Sequence, residues 1–174
     1  MGTQKRLLDL ENRVGTRAGS ITVTLNNDQI KALPSVPFVL IEPTETIDYV
    51  GIPQRIFVPK FVYGVLDTRA GVYSTDDAAF VIGVGSDWSD DLSGEAASIG
   101  NLQAAVVSLI RFQLPELTFS DPDINNVNNI ISASWLDNAI IVAIRHSTGN
   151  LTGGHEDNSL RMTVYYDEID LSHL

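Results

Sequence analysis

Ser159-Leu160-Arg161-Met162-Thr163-Val164-Tyr165-Tyr166 puts Leu160, Met162, Val164 and Tyr166 at one parity and Arg161, Thr163 and Tyr165 at the other. Successive side chains of a strand point to opposite faces, so this period of two predicts a strand with one face on a core and one on solvent. Two runs upstream carry comparable β signals: Asn129-Ile-Ile-Ser-Ala-Ser-Trp-Leu136 and Ala139-Ile-Ile-Val-Ala-Ile-Arg145, with Asp137-Asn138 between them as a tight turn.

Further back, Ala79-Phe-Val-Ile-Gly-Val84 is apolar enough to be a buried strand on the inner face of a sandwich. Phe61-Val-Tyr-Gly-Val-Leu66 is aromatic and branched, and Asp67-Thr-Arg-Ala-Gly71 behind it predicts a hairpin-like connection. Gln54-Arg-Ile-Phe-Val58 reads as a separate strand that Pro59 limits or bends toward an edge. Phe38-Val-Leu-Ile41 enters after Pro37 and stops at Pro43; residues 47–50 then lead into Gly51-Ile-Pro53. Ile21-Thr-Val-Thr-Leu25 alternates β-formers, and Asn26-Asn27-Asp28 caps a short helix over 29–33 that Pro34 ends. Residues 95–114 fit both periods: Leu102, Ala105, Val106 and Leu109 suit a helix, and Val106-Val-Ser-Leu-Ile-Arg-Phe112 suits a strand. A short helix near 101–109 is the expectation there. Short strands broken by Gly, Pro, Asn and Asp predict a mainly β fold, an antiparallel β-sandwich or jelly roll with one or two short helices.

The bulk properties agree with one globular domain. At 174 residues, 44% hydrophobic and 19% charged, the chain is long enough to bury about two-thirds of its unfolded surface. No apolar run approaches the about 18–20 residues of a membrane span, and the N-terminal apolar stretch is broken at Asp9, so neither membrane association nor a secretory leader is expected. Without cysteine there is no thiol chemistry, and stability rests on packing or oligomerisation. The charge is uneven. Residues 1–18 hold Lys5, Arg6, Arg13 and Arg17 against Asp9 and Glu11, a net +2, which leaves −13 of the total −11 on the remainder. A body so acidic repels phosphate backbones, which argues against nucleic acid. The organisation that follows is an N-terminal arm over 1–18 and a β domain over 19–174. The arm's Lys5, Arg6, Leu7, Leu8, Leu10, Arg13 and Arg17 are the candidate contacts to another subunit or surface, set against the simpler reading of a frayed terminus.

Chemistry-bearing groups are scattered. Asp87, Asp90, Asp91 and Glu95 around Trp88 offer carboxylates to calcium, which takes about six to eight oxygens, but the spacing of a helix-loop-helix calcium site is absent and a solvated loop is favoured. Asp121, Asp123, Asn125 and Asn126, interrupted by Pro122, read as turn formers. His146, His155 and His173 share no metal spacing, and His155 sits in a Gly-rich loop where solvent exposure is expected. Gly83-Val-Gly85 lacks the third glycine of a dinucleotide loop, and no Gly-x-Ser-x-Gly elbow occurs. Two carboxylates about 5–9.5 Å apart, as glycoside cleavage needs, arise by chance among 22 acids. Tyr63, Tyr73, Trp88, Trp135, Tyr165 and Tyr166 are candidates for a sugar-binding face, weighed against core packing. The residues thus predict no catalytic constellation, no metal and no cofactor.

Ile21-Thr-Val-Thr-Leu-Asn-Asn-Asp-Gln-Ile-Lys-Ala-Leu33, Pro37-Phe-Val-Leu40 and Leu160-Arg-Met-Thr-Val-Tyr-Tyr-Asp-Glu-Ile-Asp-Leu171 together resemble small virion proteins of tailed bacteriophages. In that group a strand leads into a short Ile-x-x-Leu helix, then a strand opened by proline, and a tyrosine-rich strand closes on Ile-Asp-Leu. The resemblance covers about 30 residues at the two ends of the domain. It implies a non-enzymatic capsid cement or decoration protein of sandwich or jelly-roll fold on the capsid surface, often trimeric, with the major capsid protein as partner. A head-fibre, neck or tail component is the alternative, and a carbohydrate-binding module is another. The chain departs from the group in its first 18 residues and in the acids and prolines of 42–53.

Overall fold

The computed structural model describes residues 15–42, 46–47, 52–53, 55–75, 78–84, 90–91, 100–114, 139–145 and 150–170. Among them the chain runs β1 (Gly15–Asn26), α1 (Asn27–Ala32), β2 (Phe38–Ile41), β3 (Thr46–Ile47), β4 (Ile52–Pro53), β5 (Arg55–Asp67), β6 (Tyr73–Ser74), β7 (Ala79–Val84), β8 (Asp90–Asp91), α2 (Gly100–Gln103), β9 (Val107–Phe112), β10 (Ile140–Arg145), β11 (Thr152–Gly153) and β12 (Ser159–Asp170). The fold is mainly β, and its strand pairs are antiparallel.

The larger sheet has the order β1-β12-β5-β9. Each of the twelve residues of β12 is paired on both sides, from Gly15↔Asp170 to Asn26↔Ser159 on β1 and from Arg55↔Asp170 to Asp67↔Ser159 on β5. The predicted alternation decides which face is buried: Leu160, Met162 and Val164 are buried, and Arg161 and Tyr165 are exposed. Leu25, Val62, Leu66, Ile110 and Phe112 share the inner face.

β5 runs through Pro59 where the sequence predicted two strands. The register steps from Tyr165↔Phe61 to Tyr166↔Pro59, so Lys60 is an extra residue, a β-bulge. A bulge is where a strand tolerates proline's missing N–H. It also inverts parity. Val62, Gly64 and Leu66 face inward beyond it, whereas Pro59 and Phe57 share the inner face before it, and Phe57 meets Tyr166 edge to face at 5.2 Å.

β1 begins at Gly15, so Thr16, Arg17 and Ala18, which composition assigned to the arm, belong to the sheet. Their propensity is unremarkable; the ladder partners 167–169 of β12 hold them extended. At Gly19 the ring of Tyr166 lies over the backbone, and a Cβ there would come within 2.7 Å of its Cζ.

The second sheet has the order β2-β10-β7-β8. Phe80, Ile82, Ile140, Val142 and Ile144 join the larger sheet's inner residues in one buried cluster, which Leu40 and Ile41 of β2 extend. Ala79, Val81, Ile141 and Ala143, of opposite parity, are equally buried, which explains why these strands lack a polar alternation.

α1 is fixed by a capping box. Asn26 Oδ1 accepts from the Gln29 N–H at 3.0 Å, and Gln29 Oε1 accepts from the Asn26 N–H at 2.9 Å. Ile30 and Leu33 then reach the core. α2 ends at Gln103, far short of the predicted 109, because residues 107–112 pair with β5 as β9. Leu102 of this helix is buried in the core. The expected hairpin after β5 is also corrected: the turn over 67–71 leads into β6, which pairs with β11. Thr68, fully buried, donates its hydroxyl to the Ala104 carbonyl, and its N–H to Val106 O at 3.0 Å. The predicted strand at 129–136 lies outside the described residues.

Met162 sits opposite Gly64, where a Cβ would come within 2.8 Å of Sδ, so the glycine makes room for the thioether. Met162→Ala should therefore leave a cavity in the middle of the main sheet and cost about 2–5 kcal/mol. Urea unfolding checks this as a lowered midpoint at unchanged slope.

Candidate functional site

The outer face of the larger sheet follows from the same register. Across β1, β12, β5 and β9 the outward rows are Thr22, Thr163, Tyr63 and Arg111, then Thr24, Arg161, Val65 and Leu109, with Tyr165 opposite Phe61 beyond the first row. Phe61, Tyr63 and Tyr165 form a ring cluster: centroids lie 5.9 Å apart for Phe61 and Tyr63 and 6.3 Å for each of the other two pairs. The Arg111 guanidinium lies 5.6 Å from the Phe61 centroid, within cation–π range. Thr163 lies buried beneath this cluster and shares a 3.0 Å hydroxyl hydrogen bond with Thr22.

These apolar groups face solvent. Phe61 is 38% exposed, Tyr165 44%, Val107 51% and Leu109 64%. Aromatic and branched side chains gathered on one open face are what a monomeric surface ordinarily avoids. The charges beside them divide into two kinds. Lys60 pairs with Asp167 at 3.2 Å and Arg55 with Glu168 at 3.2 Å, while Arg111 and Arg161 have no ion-pair partner among the described residues.

At the end of β5, Asp67 accepts from the Arg69 N–H at 3.1 Å and from its guanidinium at 2.6 Å. The Arg69 side-chain hydrogen bond, helped by the backbone one, holds the Asp67 carboxyl below the usual carboxylate range.

Of the sugar-face candidates, Tyr63 and Tyr165 come together on this face, whereas Tyr166 turns inward onto Phe57 and Tyr73 is buried. Burial pushes the Tyr73 phenol up; the adjacent Asn158 opposes the rise, though no hydrogen bond of good geometry reaches Tyr73 Oη among the described residues. Gly154, at φ +74°, packs against Tyr73 and Asn27, and a side chain there would strike both. His155 is exposed as expected, its Nδ1 accepting from the Asp157 N–H at 3.2 Å. Arg17 is exposed on β1 opposite Glu168. Asp90 and Asp91 form β8; their side chains, and Asp87, Trp88, Glu95, Asp121, Asp123, Asn125, Asn126, Trp135, His146, His173, Lys5, Arg6, Leu7, Leu8, Leu10 and Arg13, lie outside the described residues. Among the described residues no three His, Asp or Glu side chains gather as a metal group, and no helix is long and apolar enough to cross a membrane.

Phe61, Arg111 and Leu109 were missed by the sequence reading. The Phe61-x-Tyr63 spacing already places two rings on one side of a strand, but joining them to Tyr165 and Arg111 requires the order β12-β5-β9. No protein-family model, curated protein or solved structure matches the chain.

Two predictions follow from these exposed groups. Phe61→Ala and Tyr165→Ala should each cost less than about 1 kcal/mol in denaturant unfolding, the scale of an exposed cross-strand pair. For Asp67, the folded-state depression means that the pair's stabilisation is present above the ordinary Asp range and is lost as pH falls through the lowered value. Solvent screens this exposed pair, so the clear readout is local: in Arg69→Ala the Asp67 side-chain carboxyl ¹³C titration should move up toward that of a free aspartate, held short of it by the remaining backbone N–H of residue 69.

Proposed function

We propose that this chain is a structural protein of a tailed-bacteriophage particle, a capsid cement or decoration subunit that binds the outer shell and stabilises it. One observation carries the reading. The first and last of the three stretches that resemble such virion proteins lie far apart in sequence, yet they include adjacent strands: β1 and β12 pair over twelve residues. α1, which follows β1, packs Ile30 into the same core that Leu40, from the middle stretch, reaches from the second sheet. The three stretches of the likeness therefore meet in one buried cluster.

The two antiparallel sheets share one buried cluster, and this supports a sandwich, the architecture such subunits use. The proposed subunit is non-enzymatic, needs no cofactor, and assembles as a homo-oligomer, a trimer, on the major capsid protein at the capsid surface. It binds neither nucleic acid nor membrane. Its arm, with Lys5, Arg6, Leu7, Leu8, Leu10 and Arg13, reaches the shell or a neighbouring subunit, a role that opposite charge to the acidic body supports.

A second reading, a carbohydrate-binding module, is favoured by the Phe61, Tyr63 and Tyr165 cluster, since sugars stack on exposed rings.

Electron microscopy of purified particles with antibody label tests the first reading, with label over the shell as the expected result; a chain missing from the particles overturns it. Deleting residues 1–14 leaves β1 intact and should abolish co-sedimentation with particles while preserving the unfolding transition. Full binding by that deletion would remove the arm from the account.

A further inference from the structure

We propose that the outer face of the larger sheet docks on an acidic protein surface of the shell, with Phe61, Tyr63 and Tyr165 as its anchor and Arg111 and Arg161 pairing with the partner's carboxylates. This deepens the virion reading and rests on it.

Charge is the first argument. The chain carries twice as many acidic as basic side chains, 22 against 11, so an arginine on its surface has carboxylates to choose from. Lys60, Arg55 and Arg69 have taken them, but Arg111 and Arg161 have none among the described residues. Both stand on the face that exposes the ring cluster, in adjacent rows of the sheet. Among the described residues the two carboxylates on this face, Asp67 and Asp167, are already neutralised by Arg69 and Lys60. Counted over the described residues the face is thus net positive on a strongly negative chain, and its electrostatic complement is an acidic patch.

The make-up of the patch selects protein over sugar. Arg111 caps the face of Phe61 at 5.6 Å, which obstructs the stacking a sugar ring needs. Val107 and Leu109 extend the exposed apolar surface along β9, and aliphatic side chains offer a sugar neither stacking nor hydrogen bonds. Tyrosine, phenylalanine and arginine beside aliphatic residues are the types enriched where protein interfaces hold most of their binding energy. The four-stranded framework holds them in place before binding, so little ordering entropy is lost.

The test uses the full chain and particles grown without its gene. Wild-type protein should co-sediment with them, and less at high salt than at low. Arg111→Glu/Arg161→Glu and, separately, Phe61→Ala/Tyr165→Ala should each weaken binding by about tenfold or more. Lys31→Glu, on α1 away from the face, controls for net charge and should bind as wild type does. Each variant is checked for an unchanged thermal transition; Arg111→Gln/Arg161→Gln replaces the charge reversal if that one unfolds. Wild-type binding with equal binding by both double variants overturns the docking face and leaves the virion reading standing. Failure of the wild type to bind removes both. Light scattering that finds an oligomer dissolved by the same variants assigns the face to a second copy and overturns the acidic-shell partner. Competition by host polysaccharide that is lost in Phe61→Ala/Tyr165→Ala overturns it in favour of sugar.

Discussion

Everything in the larger sheet depends on β12 being hydrogen-bonded along both edges. It is the strand against which β1 and β5 take their register, and through β5 it sets the position of β9. A slip of one residue in either ladder would send Leu160, Met162 and Val164 to solvent and bring Arg161 and Tyr165 inward. The apolar alternation makes that slip costly, since burying an arginine without a partner is far worse than losing a ladder bond. The core and the outer face are therefore two consequences of one register. Whatever fixes Met162 opposite Gly64 also fixes Tyr165 opposite Phe61.

The bulge at Lys60 lets two sequence patterns of opposite parity share one strand. Without an extra residue, either Phe57 or Val62 would face the wrong way. It also sits beside the ring cluster, directly before Phe61. Bulges bend a strand and sharpen its twist locally. The edge of the proposed docking face is accordingly shaped by a backbone feature, with the Lys60–Asp167 ion pair beside it.

Strands whose burial is carried by their own composition were legible in the sequence. Phe38–Ile41 and Ala79–Val84 have the bounds that the apolar runs predicted, and the alternation of residues 159–166 named the inward set correctly. What escaped the reading depends on partners. Pro59 looks like a stop until the bulge is known, and Val107 looks helical until β5 is beside it. Thr16 and Arg17 have no strand signature of their own and are extended because β12 continues past Tyr166. The candidate face divides the same way. Tyr63 and Tyr165 could be nominated as residue types, but Phe61, Arg111 and their proximity are properties of the strand order.

β12 is the middle of its sheet but follows each of its neighbours in the chain. During synthesis β1, β5 and β9 emerge first; β9 can pair with β5 as it appears, but β1 has no strand of this sheet to lie against until residues 159–170 leave the ribosome. Closing the sheet joins segments from opposite ends of the described chain, the kind of distant pairing that slows folding and leaves strand edges open meanwhile. The larger sheet is in this sense keyed by its last strand: β1 and the β5–β9 pair stay apart until β12 enters between them.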